Sequence, residues 1–549
     1  MARLCPHASL LAMLLALSLV ACGGKGDADA GSSGGDASLD AAPDATPDEG
    51  FDMPPELREC EGSFVVDTVD ALEALAGCTR IGGDLTIQNL PLVESLTPLR
   101  FLERVDGTLT LRDDVALTDL RGLGALDAIG GDLDLEDADA LESLAGLESL
   151  ASLGGGLRLR SLRELTTTEG LGPVREVAFL AIEENVALAN LAGFADLEEV
   201  RGDVNLTGQL ALSSLAGLED LQRIGGALQL ARLPELTSVG GLAGLVNVGG
   251  RLLVNDLPQL TALGGLSALT SIAGDLTLLD LPALTSLVGL APLSGVAGVE
   301  VQNAALSSLD GLPVPADATF LRLVGLASLT DAGALGPLRT VAGDLTLRGL
   351  PALEDLAPLA GVREVRGALT LDDVGMRSLA SFAAWSGASR GLVVERCARL
   401  TDVSGVGAAG VRAADVRFEG NPALVEFTGL PEGFVPNNLR IADHGALTSL
   451  VGLELIAVFG ELQLEGNAVL SSLAGLESLR EVTNDLEIVD NDALASLGEL
   501  ARGSLTRVGR DLRVEDNALL AACEVDTLAA DITVGRNVLN SGNAGPGCP

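Results

Sequence analysis

GGDLDLEDADALESLAGLESLASL, residues 130–153, is the stretch whose reading decides the fold. Leu133-Asp134-Leu135 alternates apolar, polar, apolar, which predicts a short strand with one face inward. Leu141, Leu144, Leu147, Leu150 and Leu153 then follow at intervals of three. An amphipathic α-helix mixes threes and fours, so a strict three predicts turns and 3₁₀-like corners instead. Gly130-Gly131 marks the corner that returns the chain to a strand, read here as a place where positive φ is needed.

The unit recurs along the chain. Taking the second apolar residue of each strand as its anchor, the anchors run Ile87, Leu111, Leu135, Leu159, Ile182, Leu206, Leu230, Val254, Leu278 and Val301 in the first half. They continue as Leu323, Leu347, Leu371, Val394, Phe418, Ile441, Leu464, Ile488, Val514 and Val534, mostly 22 to 24 residues apart. That period predicts a mainly β, right-handed, single-stranded leucine-rich β-helix solenoid of about 20 coils over residues 81–520. Stacked at about 4.8 Å per layer, the coils would make a rod of roughly 95 Å.

Composition agrees with a narrow core of flat layers. Of 549 residues 47% are hydrophobic but only 2% aromatic, and tyrosine is absent. The net charge of −43 excludes nucleic acid as a natural partner, because phosphate contacts need a basic surface.

The first 22 residues read as a lipoprotein signal peptide. Arg3 precedes an apolar run from Leu10 to Ala21, too short for a bilayer span of about 20 residues. Leu19-Val20-Ala21-Cys22 resembles the lipobox of bacterial lipoproteins, which implies acylation at Cys22 and attachment to the membrane through that anchor only. Gly23, where that family's inner-membrane retention signal would have Asp, implies the outer membrane, on its periplasmic or cell-surface side. Residues 23–56 are rich in Gly, Ala, Ser and Asp and read as a disordered acidic tether.

An open solenoid end must be covered. Residues 57–80 and 521–549 are expected to form caps, with Cys60 and Cys78 at one end and Cys523 and Cys548 at the other. Local pairing is the simplest of three connectivities for these four cysteines in an oxidising compartment. Cys60-Glu61-Gly62, Leu72, Leu75, Cys78 and Ile81-Gly82-Gly83-Asp84-Leu85-Thr86-Ile87 together resemble the start of the receptor L domain, the leucine-rich module of growth-factor receptors. The body is also similar to bacterial surface leucine-rich-repeat proteins. Both resemblances imply extracellular recognition. The receptors' large inserted loops are missing here, so growth-factor binding is not implied.

Three residues past the anchor, a column of Leu in the first half becomes Cys397, Asn421, His444, Asn467, Asn491, Asn517 and Asn537 in the second. A position that accepts Leu faces inward, so these predict a buried polar ladder along the bends. His444, the one histidine outside the signal, is thereby read as structural, and Cys397 as an inert buried thiol.

The candidate binding face lies on the outward strand positions. Asp372, Glu395 and Glu419 should stack in successive coils beside Arg417 and Arg440, with Glu465 further along. Such a stripe could hold Ca²⁺ or a basic partner, against the alternative of a solvated charged face. Irregular coils near 313–316, 380–390, 403–411 and 430–438 are the other candidate binding elements. No serine elbow, phosphate loop or zinc-spaced Cys/His cluster occurs, so no catalytic residue, cofactor or metal is assigned. The expected role is a non-enzymatic envelope scaffold recognising an unknown protein or glycan. The alternatives are a carbohydrate-active β-helix enzyme and a purely structural rod.

Overall fold

The computed structural model describes residues 55–546, apart from 114–115, 291–292, 387–388, 407–414 and 431–434. The expected signal, Cys22, almost all of the tether, and Cys548 lie outside the described residues. What is described is a mainly β solenoid with a period of about 24 residues.

Its main sheet is a ladder of twenty-one parallel strands taken in chain order, from Phe64–Val66 and Leu85–Gln88 to Leu512–Glu515 and Val538–Leu539. Register follows the repeat: Leu109 pairs with Leu133 and Leu111 with Leu135, and Leu157 and Leu159 come next. Because side chains alternate, this register sends the anchors from Ile87 to Val514 inward. To the one strand per coil that the pattern predicts, the structure adds a second of about two residues before the corner, such as Arg104–Val105 and Ala128–Ile129. These short strands form side sheets of five, five, three and four strands.

A third line of backbone bonds joins the coils on another side. The N–H of Glu142 donates to the Thr118 carbonyl (3.0 Å), that of Thr166 to Glu142 (3.2 Å) and that of Ala189 to Thr166 (3.0 Å). Successive coils are thus bonded on three sides over much of the stack, the short side sheets being interrupted between Ser271–Ile272 and Asp317–Ala318 and between Glu364–Val365 and Ala457–Val458.

The glycine corners do a different job from the one expected. Gly130 and Gly131 do not have positive φ. A Cβ on Gly130 would instead lie 2.1 Å from the Asp106 carbonyl oxygen of the coil below, and at Gly225 2.0 Å from that of Arg201. Glycine is needed there because the coils approach too closely for a side chain. Positive φ sits two residues after each anchor from Ile87 to Val514, including Asn89, Asp113, Asp137, Asp256, Asp443, Asp490 and Asp516 (φ 52–59°) and Gly208, Gly325 and Gly420 (63–75°). Asn, Asp and Gly tolerate this left-handed conformation best, which accounts for their recurrence in that column.

The steps of three are turns, and eight of the described coils make a 3₁₀ turn there, including Thr97–Leu99, Arg121–Leu123 and Gly240–Leu242. Leu141, Leu144, Leu147 and Leu150 are fully buried. The largest buried side chains, Trp385, Phe382, Phe418 and Phe427, fill the irregular coils.

At the N-terminal end a Cys60–Cys78 disulfide forms, as expected. The short helix Val69–Glu73, capped by Thr68, places Leu72 and Leu75 over the first layer. The opposite end is covered by the helix Ala522–Asp531, which turns Val525 and Leu528 inward. Cys523 is disulfide-bonded. Among the described residues no helix is long and apolar enough to cross a membrane.

Close approach at the corners has a direct consequence. Gly130→Ala should lower the unfolding free energy by about 1–3 kcal/mol, the usual cost of overpacking. Gly264→Ala, where a Cβ meets nothing within 4 Å, should stay within about 0.5 kcal/mol of the wild type. Urea unfolding midpoints of the two variants check this, and equal midpoints would remove the close-approach explanation.

Candidate interaction face and the polar ladder

The buried column is an amide ladder with a fixed bonding rule. Asn421, Asn467, Asn491 and Asn517 are completely buried. In each, Oδ1 accepts from the backbone N–H of the column residue one coil earlier: Cys397, His444, Asn467 and Asn491 respectively, at 2.9–3.2 Å. Nδ2 donates to the anchor carbonyl of that same earlier coil: Val394, Ile441, Leu464 and Ile488. One side chain thus satisfies two backbone groups that the bend would otherwise bury unpaired.

Two details differ from the expectation. Asn537 is not in the column: it is exposed and bonds Asp511 Oδ1. The anchor reading at Val534 is corrected for the same reason. Thr533–Val534 pairs with Arg507–Val508 in a side sheet, while Val538–Leu539 continues the main ladder. Asn543 fills the column, bonding the Asn517 N–H and the Val514 carbonyl. The column also has an earlier polar segment that the sequence reading missed. Asn185 bonds the Leu162 N–H and the Leu159 carbonyl, and Gln209 bonds the Asn185 N–H and the Ile182 carbonyl. Their register three residues past Ile182 and Leu206 was the available signal.

His444 is buried in this column, as its register predicts. Its Nδ1–H donates to the Ala442 carbonyl (2.5 Å), while the buried Nε2 has no hydrogen-bond partner. Burial pushes its pKa down to about 4. Cys397 is fully buried in the same column, and burial pushes its thiol up to about 12, which leaves it protonated and unreactive.

The charged face assembles in the expected register, Asp372 beside Glu395 beside Glu419 and Arg417 beside Arg440. Its chemistry differs from an open acidic stripe. Asp372 is fully buried, covered by Arg348 (2.9 Å) and Arg396 (2.5 Å) on its Oδ2. Its Oδ1 is buried without a hydrogen-bond partner. Glu395 pairs with Arg417 (3.4 Å), and Arg440 bridges Glu419 (3.3 Å) and Glu465 (2.6 Å). Burial works to lower the pKa of Arg440, but bonds to Glu465 and Glu419 outweigh it and raise it. The carboxylates expected to collect a cation are therefore already neutralised by arginine. Among the described residues no group of three or more acidic, His or Cys side chains is placed to hold a metal.

Two hollows lie where the side sheets stop. Between Glu364–Val365 and Ala457–Val458 no side strand is described, and a groove of about 460 Å³ opens there. Arg390, Arg417, Arg440, Asp415, Asn438 and Glu461 are among its walls. Between Ser271–Ile272 and Asp317–Ala318 a second, apolar hollow of about 540 Å³ is lined by Leu293, Val296, Leu312, Pro313, Val314 and Pro315. Both lie at coils whose irregularity was legible. Residues 387–388, 407–414 and 431–434 of those coils are outside the described residues.

No family model matches the chain, and no curated protein matches it. Among solved structures, an internalin from Listeria monocytogenes is similar at 15% identity and a TM-score of 0.28, covering 64% of this chain and 83% of that one. The face is read from its own geometry.

Two measurements probe these buried polar groups. An unfolded His444 takes up its proton near pH 6.5 and the folded one only near 4. Stability is thus full above pH 6.5 and falls, by on the order of 3 kcal/mol, as pH drops through that window. His444→Asn should continue the ladder and flatten this part of the pH–stability curve; an unchanged slope would exonerate His444. Removing Arg348 and Arg396 together, as Arg348→Ala and Arg396→Asn, should cost about 3–5 kcal/mol by stranding the Asp372 charge. Adding Asp372→Leu should recover most of that loss, and a triple variant as unstable as the double would disprove the buried-charge account.

Proposed function

We propose that this chain is a non-catalytic recognition scaffold of the cell envelope, lipid-anchored at Cys22 and binding a protein or glycan partner through coils 345–465. The observation that carries the reading is the coincidence, in the same coils, of a ready-made ionic network with a groove beside it. A partner could exchange its own charged groups into the Arg417–Glu395 and Arg440–Glu419 pairs. Rim ion pairs of this kind set specificity and on-rate more than affinity.

The glycosidase-like alternative needs two carboxylates in a cleft with their pKa values driven apart. Here Glu395, Glu419 and Glu465 are each held by an arginine, and His444 is sealed in the ladder. The lipid anchor is supported by Leu19-Val20-Ala21-Cys22 and the acidic, small-residue stretch behind it. Surface display would put the scaffold where partners are met.

Photo-crosslinking side chains introduced in cells at Thr370 and Asn438 should yield a discrete adduct that the same group at Gln222 does not. Adducts from all three positions, or from none, would discard this face as the binding surface. In the same cells Cys22→Ala should move the protein out of the membrane fraction, and unchanged fractionation would reject the anchor.

A further inference from the structure

The main sheet face carries, at its middle, a window with no charge. In four consecutive coils both outward positions are neutral: Asn205 and Thr207, Gln229 and Ala231, Leu253 and Asn255, Thr277 and Leu279. The chain has a net charge of −43 and charged residues at 20% of positions, so this run stands out. Two of the eight are leucines only partly covered by their neighbours. Charges return at the borders, in Arg232, Asp256 and Asp280 on the left-handed corner and in Arg251 and Asp275 on the other side. A neutral centre inside a charged rim is the anatomy of a protein interface.

The charges just beyond the window identify what fits it. On one side the coils carry Asp134 paired with Arg158 (2.9 Å). On the other they carry Glu300 paired with Arg322 (3.1 Å). We infer that the window seats a second copy of this chain, face to face and antiparallel, about a two-fold axis running along the strand Leu228–Ala231. That axis sets the coil three before Gln229 opposite the coil three after it, so Arg158 faces Glu300 of the other copy. It sets the next coils out, Asp134 and Arg322, opposite each other as well. The two intrachain pairs then close into an alternating square of four charges at each end of the contact.

The parallel arrangement fails by the same criterion. With the solenoid axes parallel, Arg158 would face Arg160 and Asp134 would face Glu136. One coil beyond the favoured contact, Arg112 meets Arg348, so the favourable part of the overlay is nine coils. Nine coils span roughly 43 Å, and with strands about 13 Å long the contact covers roughly 1,100 Å² in total. That just clears the ~1,000 Å² expected of a specific interface and points to a weak, reversible dimer. On this axis the other copy's first three coils lie opposite Leu345–Leu350, Ala368–Val374 and Gly391–Glu395, so pairing leaves coils 415–465 of the proposed partner face uncovered.

Sedimentation equilibrium of the full chain over a series of concentrations tests the pairing. The expected result is a concentration-dependent shift from monomer to dimer mass. Leu253→Asp, which puts a charge in the window, should abolish it, with circular dichroism confirming the fold. Glu300→Arg should weaken it by about tenfold or more. Combining Glu300→Arg with Arg158→Glu should restore it. These two residues lie six coils apart, roughly 29 Å along the ladder, and cannot touch within one chain. A monomer at every concentration would overturn the inference, as would a dimer indifferent to Glu300→Arg. Failure of the double variant to regain association would overturn the antiparallel register.

Discussion

Backbone hydrogen bonding between successive coils, at a single spacing on three sides, is the constraint on which the rest of this structure depends. It brings the corners so close that a Cβ at Gly130 would sit 2.1 Å from a carbonyl oxygen of the neighbouring coil. It places one left-handed residue at each exit from the main strand. It also leaves room inside for only one layer of side chains per coil, which branched aliphatic residues fill without aromatic bulk. The four largest fully buried side chains, Trp385, Phe382, Phe418 and Phe427, are confined to residues 382–427.

The same constraint generates the polar ladder. A strand that ends in a sharp bend buries an N–H and a carbonyl that no neighbouring strand reaches. An asparagine amide spans both, which is why Asn467, Asn491 and Asn517 follow one another at the position where other coils carry leucine. His444 meets this demand only partly. Its ring bonds the Ala442 carbonyl two residues earlier, and its Nε2 stays dry and unpaired. It is the one titratable imidazole in an interior otherwise built from amides and aliphatic chains.

On the outside, stacking in register turns single charges into columns. Like charges do stack in register, Asp372, Glu395 and Glu419 in one column and Arg417 and Arg440 in the next, and arginines reaching between the columns offset the repulsion, as Arg440 does for Glu419 and Glu465. Asp372 shows how far this can go, a carboxylate wholly covered by two arginines on a nominally exposed face. The face is thereby divided into segments: a neutral window at Asn205–Leu279 and an ionic network with a groove further on.

The sequence by itself determined the solenoid, its period, the inward leucines and the polar column from Cys397 through Asn517, because each of these repeats at fixed spacing, while the Cys60–Cys78 clasp was one of three pairings it allowed until the structure joined them. It also marked the irregular coils where the side sheet breaks. Only the tertiary structure decided why the corner glycines are required, since a clash with the neighbouring coil is a distance between residues 24 apart in the chain. Only it moved the last column position from Asn537 to Asn543, because a late shift of register is invisible until the strands pair. And only it showed Asp372 as buried: alternation says which way a side chain points, while burial depends on which long arginines from neighbouring coils fold over it.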